Sequence, residues 1–181
     1  IQFLTISRFL GDKGIREYFQ ATKIVQASYP NINFGLVGWI DDHPDAISKE
    51  ELDYFIQGSN VKFYGRLHDV RPAIMESSVY VLPSYREGTP RTVLESMAMG
   101  RAIITTDAPG CKETVINDYN GFIVPVKSVK ELADAMIKFI AQPELIKSMG
   151  ISSRNLAEKK FNVEKVNEDM FKGMGLKVKD E

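Results

Sequence analysis

Two glutamates separated by seven residues, Glu87 and Glu95, are the carboxylates whose spacing first suggests chemistry. They lie within residues 82–100, LPSYREGTPRTVLESMAMG. An apolar run, Val79–Leu82, breaks at Pro83 and gives way to a small polar loop at 84–90. Val93, Leu94, Met97 and Ala98 then follow at helical spacing, so a helix is expected from Pro90 or Arg91. Strand, loop and helix start is the arrangement that builds anion and nucleotide sites, because the first helical amides have no intrahelical partner. A carboxylate accepts two hydrogen bonds from vicinal hydroxyls. Eight steps at helical rise hold the two glutamates roughly 12 Å apart, enough to serve a sugar at one end and a ribose at the other. The residues alone also allow a plainer reading, in which Glu87 caps the helix and Glu95 faces solvent.

A second candidate set opens the chain. Residues 7–14, SRFLGDKG, place Arg8 and Lys13 between an apolar strand and a helix. Arg forks onto phosphate oxygens and Lys adds a point charge, so the pair suits a diphosphate. A solvated turn with two surface cations fits the same residues. The loop is not G-x-G-x-x-G, and a dinucleotide fingerprint is not supported.

These loops need a frame that brings them together. Short, nearly continuous apolar segments at 3–6, 32–38, Val61–Gly65, Val79–Leu82, Ala102–Thr106 and Gly121–Val124 alternate with helical patterns. The helices are expected from Ile15 to near Tyr29, over 48–57, over 69–75, from Pro90 to Gly100, over 111–116, from Ser128, from Pro143 to Lys160, and over 161–174. Ser48 with Glu51, and Ser128 with Glu131, have capping-box spacing. Gly100 fits the left-handed position after a helix. The pattern predicts an α/β fold with a doubly wound parallel sheet and helices on both faces. Ligands on such sheets bind beyond the carboxyl ends of the strands.

Composition narrows the function classes. The 181 residues have a formal net charge of −1, which gives no electrostatic case for a nucleic-acid partner. No apolar run reaches membrane-span length. The single cysteine, Cys111, forms no internal disulfide, which suits the cytoplasm. The chain opens directly on a core strand without Met or a signal-peptide pattern, and a segment of a longer protein is expected. The tail at 175–181 is charged and expected to fray.

Residues 84–115, SYREGTPRTVLESMAMGRAIITTDAPGCKETV, resemble the donor-binding half of GT-B retaining glycosyltransferases of family 4. The E-x7-E pattern falls on Glu87 and Glu95, and the T-T-D-x-P-G-x-x-E loop on 105–113. Ser7-Arg8-Phe9-Leu10 and Lys13-Gly14 resemble the family's R-L…K-G, and 120–125 continues the match. The resemblance implies a Rossmann-like C-terminal half of a GT-B enzyme. Residues 1–160 would form the nucleotide-sugar-binding domain, and 161–181 a helix and tail packed towards a missing N-terminal domain.

It further implies that Arg8 and Lys13 hold the donor diphosphate and that Glu87 contacts the sugar near the reacting centre. Gly88, Thr89, Pro90, Arg91, Thr92 and Val93 would approach through backbone groups, and Glu95 would bind the ribose. The base would lie near Arg66 and Leu67. The implied donor is a UDP- or GDP-linked sugar, with no cofactor and no metal. The hexosyl group would go to a glycan or lipid-linked acceptor in cell-surface polysaccharide or lipopolysaccharide synthesis, bound through the N-terminal domain. The full-length enzyme would work in the cytoplasm or at the inner face of the membrane, and the segment alone would be inactive. A donor-binding subunit of a two-chain transferase, and a GT-B epimerase or phosphorylase, are the alternatives. Thr89 departs from the bulky apolar residue that many relatives carry, so donor choice does not transfer from them.

Other residues attract plainer readings. Asp41, Asp42 and Asp45 form an acidic, Pro-containing loop expected to be a solvated turn rather than a metal site. Cys111 follows Gly110 at an expected helix start, a place that lowers a thiol pKa. No histidine is near it in sequence, and it is taken as structural. Trp39 is expected to pack over the sheet edge.

Overall fold

A computed structural model describes residues 1–175. Six strands, β1 (Gln2–Arg8), β2 (Asn33–Trp39), β3 (Val61–Gly65), β4 (Val79–Leu82), β5 (Ala102–Thr106) and β6 (Gly121–Val124), form one sheet. The spatial order is β3-β2-β1-β4-β5-β6, and every pairing is parallel. The crossover helices are α1 (Ile15–Ser28), α2 (Lys49–Ile56), α3 (Arg71–Glu76) and α4 (Arg91–Ala98), and α5 (Val129–Ala141), α6 (Glu144–Lys160) and α7 (Val163–Gly173) follow β6.

Strand alternation divides the core in two. Phe3, Phe34, Leu36, Val79, Val81 and Ile104 face one side with Tyr18, Phe19, Leu52, Met136 and Phe139 from α1, α2 and α5. Leu4, Ile6, Tyr80, Leu82 and Ile103 face the other, with Ile74, Val93 and Met97 from α3 and α4. A period of two residues forces this split, and burial on both faces explains why the strands read as unbroken apolar runs. Helix α6 touches both clusters, through Met149 and Ala157. The Tyr18 hydroxyl lies 3.0 Å from the carbonyl oxygens of both Phe3 and Gly35, so it donates to one or the other. That fastens α1 over β1 and β2. The doubly wound parallel sheet is therefore as the sequence predicts.

Local details differ where side-chain chemistry competes. Ser48 caps α2 by accepting from the Glu51 amide at 3.1 Å. Ser128 does not do the same for α5; its hydroxyl donates to the Glu131 carboxylate instead. Helix α3 starts at Arg71 rather than Asp69. Asp69 Oδ1 accepts from the Arg71 amide at 3.0 Å, and Val70 takes the cap position ahead of Pro72. The expected helix over 111–116 shrinks to a 3-10 turn, Lys112–Thr114, and another 3-10 turn, Gly11–Lys13, fills part of the first loop. Gly100, with φ 71°, ends α4 in the left-handed region. Val163, Val166, Met170 and Phe171 of α7 are exposed. Residues 176–181 of the expected frayed tail lie outside the described residues.

Candidate functional site

The strand order reverses between β1 and β4. From β1 the chain winds outward to β2 and β3, and from β4 it winds the other way to β5 and β6. Crossovers leaving in opposite directions open a crevice at the carboxyl ends of the two strands. A cleft of about 370 Å³ occupies that place, lined by Ile6, Ser7, Arg8, Lys13, Leu82, Glu87, Thr89, Pro90, Arg91 and Thr92.

Close backbone contacts assemble its walls. The Tyr85 amide donates to Asp12 O at 2.8 Å, joining the loop after β4 to the loop after β1. Gly14 permits this approach: its φ is 68°, and a Cβ there would sit 2.1 Å from Pro83 O. On the far side the Glu87 amide donates to Pro109 O at 3.0 Å. Gly110 has φ 82°, and its Cβ would lie 2.1 Å from Glu87 O. Three loops are thus in backbone contact around Glu87.

Tyr80 sets the helix above them. It is fully buried in β4, and its hydroxyl lies 2.7 Å from Thr92 Oγ1 and 3.2 Å from Ile6 O. One phenol therefore ties the end of β1 to the first turn of α4. Burial pushes its pKa up, so it stays a neutral donor. No side chain caps α4, whose cap position is Pro90. The Arg91 and Thr92 amides, in the first turn, have no intrahelical acceptor, and the helix presents its positive end to the cleft.

Charge in the cleft is paired. Lys13 Nζ lies 2.8 Å from Glu87 Oε1, and Ser84 Oγ donates to the same oxygen at 2.8 Å. Arg8 Nη1 lies 2.9 Å from Asp41 Oδ2. Among the lining residues three cations, Arg8, Lys13 and Arg91, stand against one carboxylate, Glu87. Ser7 Oγ is shielded from solvent and finds no hydrogen-bond partner among the described residues.

Of the residues singled out in the sequence, Arg8, Lys13, Glu87, Thr89, Pro90, Arg91 and Thr92 share this cleft. Gly88 is exposed beside it, and Glu95 is exposed on α4, one turn beyond Arg91. Val93 points into the core, and its amide donates to Pro90 O at 3.0 Å. Arg66 and Leu67 follow β3. The Arg66 guanidinium lies 4.3 Å over the Trp39 ring, so Trp39, the last residue of the interior strand β2 and not on an edge strand, carries an arginine. Its register partner on β1 is Arg8.

The acidic loop is not simply a solvated turn. Asp41 holds Arg8, and Asp45 Oδ2 accepts from the Asp12 amide at 2.8 Å. Among the described residues no three His, Cys, Asp or Glu side chains gather as a metal-binding set. Cys111 is fully buried, and burial pushes its thiol up, opposite to the effect of a helix start. Asp41, Asp45, Ser84 and Tyr80 were not legible as site residues. Tyr80 had one signal: a tyrosine in a wholly buried strand must find a partner for its hydroxyl.

A larger hollow of about 650 Å³ lies between the far end of α4 and α6, lined by Met99, Arg101, Ile146 and Ile151 among others. It opens where β4 and β5 begin, the wrong end of the sheet for ligand loops, and no carboxylate lines it.

Residues 1–156 match the family model described as glycosyl transferases group 1. The chain belongs to this family. The group 1 chain is 32% identical over 142 residues to the N,N'-diacetylbacillosaminyl-diphospho-undecaprenol alpha-1,3-N-acetylgalactosaminyltransferase of Campylobacter jejuni, covering 78% of this chain and 36% of that protein. It therefore spans about a third of that relative's length. The structure resembles the C-terminal domain of a glycosyl transferase group 1 family protein, LpcC, from Francisella tularensis. The TM-score is 0.76 at 22% identity, covering 90% of this chain and 86% of that one. It also resembles Anabaena HepE solved in complex with UDP, with a TM-score of 0.84 at 20% identity, covering 96% of this chain and 48% of that one. The fold is the Rossmann-like C-terminal domain of GT-B glycosyltransferases. Among the described residues no helix is long and apolar enough to cross a membrane.

Proposed function

We propose that this group 1 chain is the nucleotide-sugar donor-binding domain of a retaining family 4 hexosyltransferase. The observation that carries the reading is the convergence of Arg8, Lys13 and the α4 N-terminus on one crevice with Glu87. Departure of a nucleoside diphosphate builds negative charge on its β-phosphate. Two cations and an uncapped helix start aimed at that charge stabilise it without reorganising. The diphosphate takes over Lys13 from Glu87, which frees that carboxylate to orient the sugar and to support positive charge at the anomeric carbon. Glu95, one helical turn on, takes the ribose hydroxyls, and the base lies towards Arg66 and Leu67. The donor is UDP- or GDP-linked, and the transfer needs no metal.

The acceptor is a glycan or lipid-linked saccharide, bound by a further N-terminal domain against which α7 packs. The substrate in the name of the Campylobacter jejuni relative, a diphospho-undecaprenol-linked saccharide, supports that class, and the HepE structure containing UDP supports the donor. Such a reaction belongs in the cytoplasm, at the inner face of the membrane. The test is a thermal-shift screen of nucleoside diphosphates and their sugars, followed by calorimetry on Arg8→Ala, Lys13→Ala and Glu95→Ala. Weakened UDP or GDP binding in these variants is expected. Unchanged affinity in all three would sink the assignment.

A further inference from the structure

The reading above assigns no work to the loop after β2, yet this loop is fastened along the whole first loop. The Phe9 amide donates to Trp39 O at 2.9 Å, and the Gly11 amide to Asp45 O at 2.9 Å. Asp12 N donates to Asp45 Oδ2 at 2.8 Å. Leu10 and Ala46 form an antiparallel bridge, and the Ile47 amide returns to Phe9 O at 3.0 Å above a buried Ile47 side chain. Asp41 is therefore carried on a braced segment, two residues past Trp39, the register partner of Arg8.

We propose that Asp41 is a positioning residue that holds the Arg8 guanidinium at the mouth of the cleft, ready for a diphosphate. The inference rests on the donor-site reading. Arg8 is the last residue of β1 and its side chain is 48% exposed, so without a partner it samples many rotamers. Freezing it only when ligand binds would cost affinity. The bond to Asp41 fixes the side chain during folding. It runs from Nη1 to a single carboxylate oxygen at 2.9 Å. A guanidinium has five N–H donors, so most remain for phosphate oxygens.

The opposing possibility is that Asp41 competes with the ligand and repels it. Asp42 separates the two effects. It carries the same charge next in sequence, is exposed, and makes no ion pair among the described residues.

The experiment titrates UDP and GDP into the full chain by calorimetry. The variants are Arg8→Ala, Asp41→Ala, Asp41→Asn, Asp42→Ala and the Arg8→Ala/Asp41→Ala double. Thermal unfolding is followed for each. Asp41→Ala should weaken binding about fivefold, and Asp42→Ala should stay within about twofold of wild type. Asp41→Asn keeps an acceptor oxygen and the loop contacts, and should lose about twofold. It also serves if the alanine variant fails to fold. On the Arg8→Ala background, removing Asp41 should add almost nothing, since its effect runs through Arg8. If Arg8→Ala weakens binding but Asp41→Ala leaves it equal or tighter, Asp41 is a competitor and the inference fails alone. An additive double variant overturns it as well. If Arg8→Ala itself leaves UDP and GDP affinity unchanged, the donor-site reading fails and Asp41 falls with it.

Discussion

Lys13 and Glu87 lie 74 positions apart in sequence, yet their side chains meet at 2.8 Å, with only 15% and 18% of each exposed. A pair this sheltered behaves differently from a surface ion pair, because removing one partner strands the other in a poorly solvated place. Lys13→Ala leaves Glu87 with Ser84 as its donor. It should cost about 1–2 kcal/mol in urea unfolding and weaken UDP affinity about tenfold. Adding Glu87→Ala should restore stability, since no unpaired carboxylate remains, while affinity stays low. Recovery of affinity in the double variant would mean that Lys13 serves only to neutralise Glu87.

Glu95 provides the cleanest separation of binding from folding. It is exposed on α4 and makes no ion pair among the described residues. Glu95→Ala should therefore leave the unfolding free energy within about 0.5 kcal/mol of wild type. UDP affinity should nevertheless fall severalfold through lost bonds to the ribose, while UDP and the corresponding 2′,3′-dideoxy nucleotide should bind the variant alike. Equal binding of both nucleotides to the wild-type chain would remove Glu95 from the ribose.

Much of this fold was readable because a parallel sheet buried on both faces writes itself as continuous apolar runs. Val61–Gly65, Val79–Leu82, Ala102–Thr106 and Gly121–Val124 coincide with the expected strands. Glu87, Arg8 and Lys13 were legible as types with a chemical use, and the rule that ligands bind beyond the carboxyl ends of the strands placed their loops at one end of the sheet. What the sequence concealed were contacts between side chains far apart in the chain. Nothing at Asp41 indicates Arg8, 33 positions away, and nothing at Tyr80 indicates both Ile6 and Thr92. Cys111 was read as structural despite its place at an expected helix start, and its complete burial agrees with that reading.

The loops around Glu87 depend on two residues having no side chain, and Gly110 tests this against a matched control. Gly110 and Gly58 both have left-handed backbone, with φ 82° and 71°. Around Gly58 nothing lies within 4 Å of a built Cβ, whereas at Gly110 the carbonyl oxygens of Glu87 and Gly88 would lie 2.1 and 2.2 Å away. Gly58→Ala carries only backbone strain, about 1 kcal/mol. Gly110→Ala must also displace the loop, and a loss of about 3 kcal/mol or more is expected, seen as a Tm lower by roughly 6–12 °C. UDP binding should fall in Gly110→Ala and persist in Gly58→Ala. Equal Tm shifts in the two variants would show that the loop yields without cost.

Alkaline stability follows from groups that burial keeps protonated. Burial raises the Cys111 thiol above its ordinary value of 9.0 and raises Tyr18 well above 10.0. Tyr80 and Tyr85 are raised by the same cause, with Tyr85 also donating to Glu17 at 2.6 Å. The sign is fixed by linkage. In the unfolded chain these groups lose their protons near their ordinary values, while the folded chain retains them. The unfolded state therefore binds fewer protons as pH rises, and stability falls. The folded-state advantage is complete below about pH 8.5, declines from about pH 9 as unfolded Cys111 ionises, and declines faster beyond about pH 10. Each group contributes a slope of at most about 1.4 kcal/mol per pH unit. Urea unfolding between pH 8 and 11 should show this two-stage loss. Cys111→Ala should remove the first stage, and Tyr80→Phe should flatten the second after an offset of about 1 kcal/mol for its lost hydrogen bonds. A Cys111→Ala profile that keeps its decline between pH 9 and 10 would assign that stage to other groups.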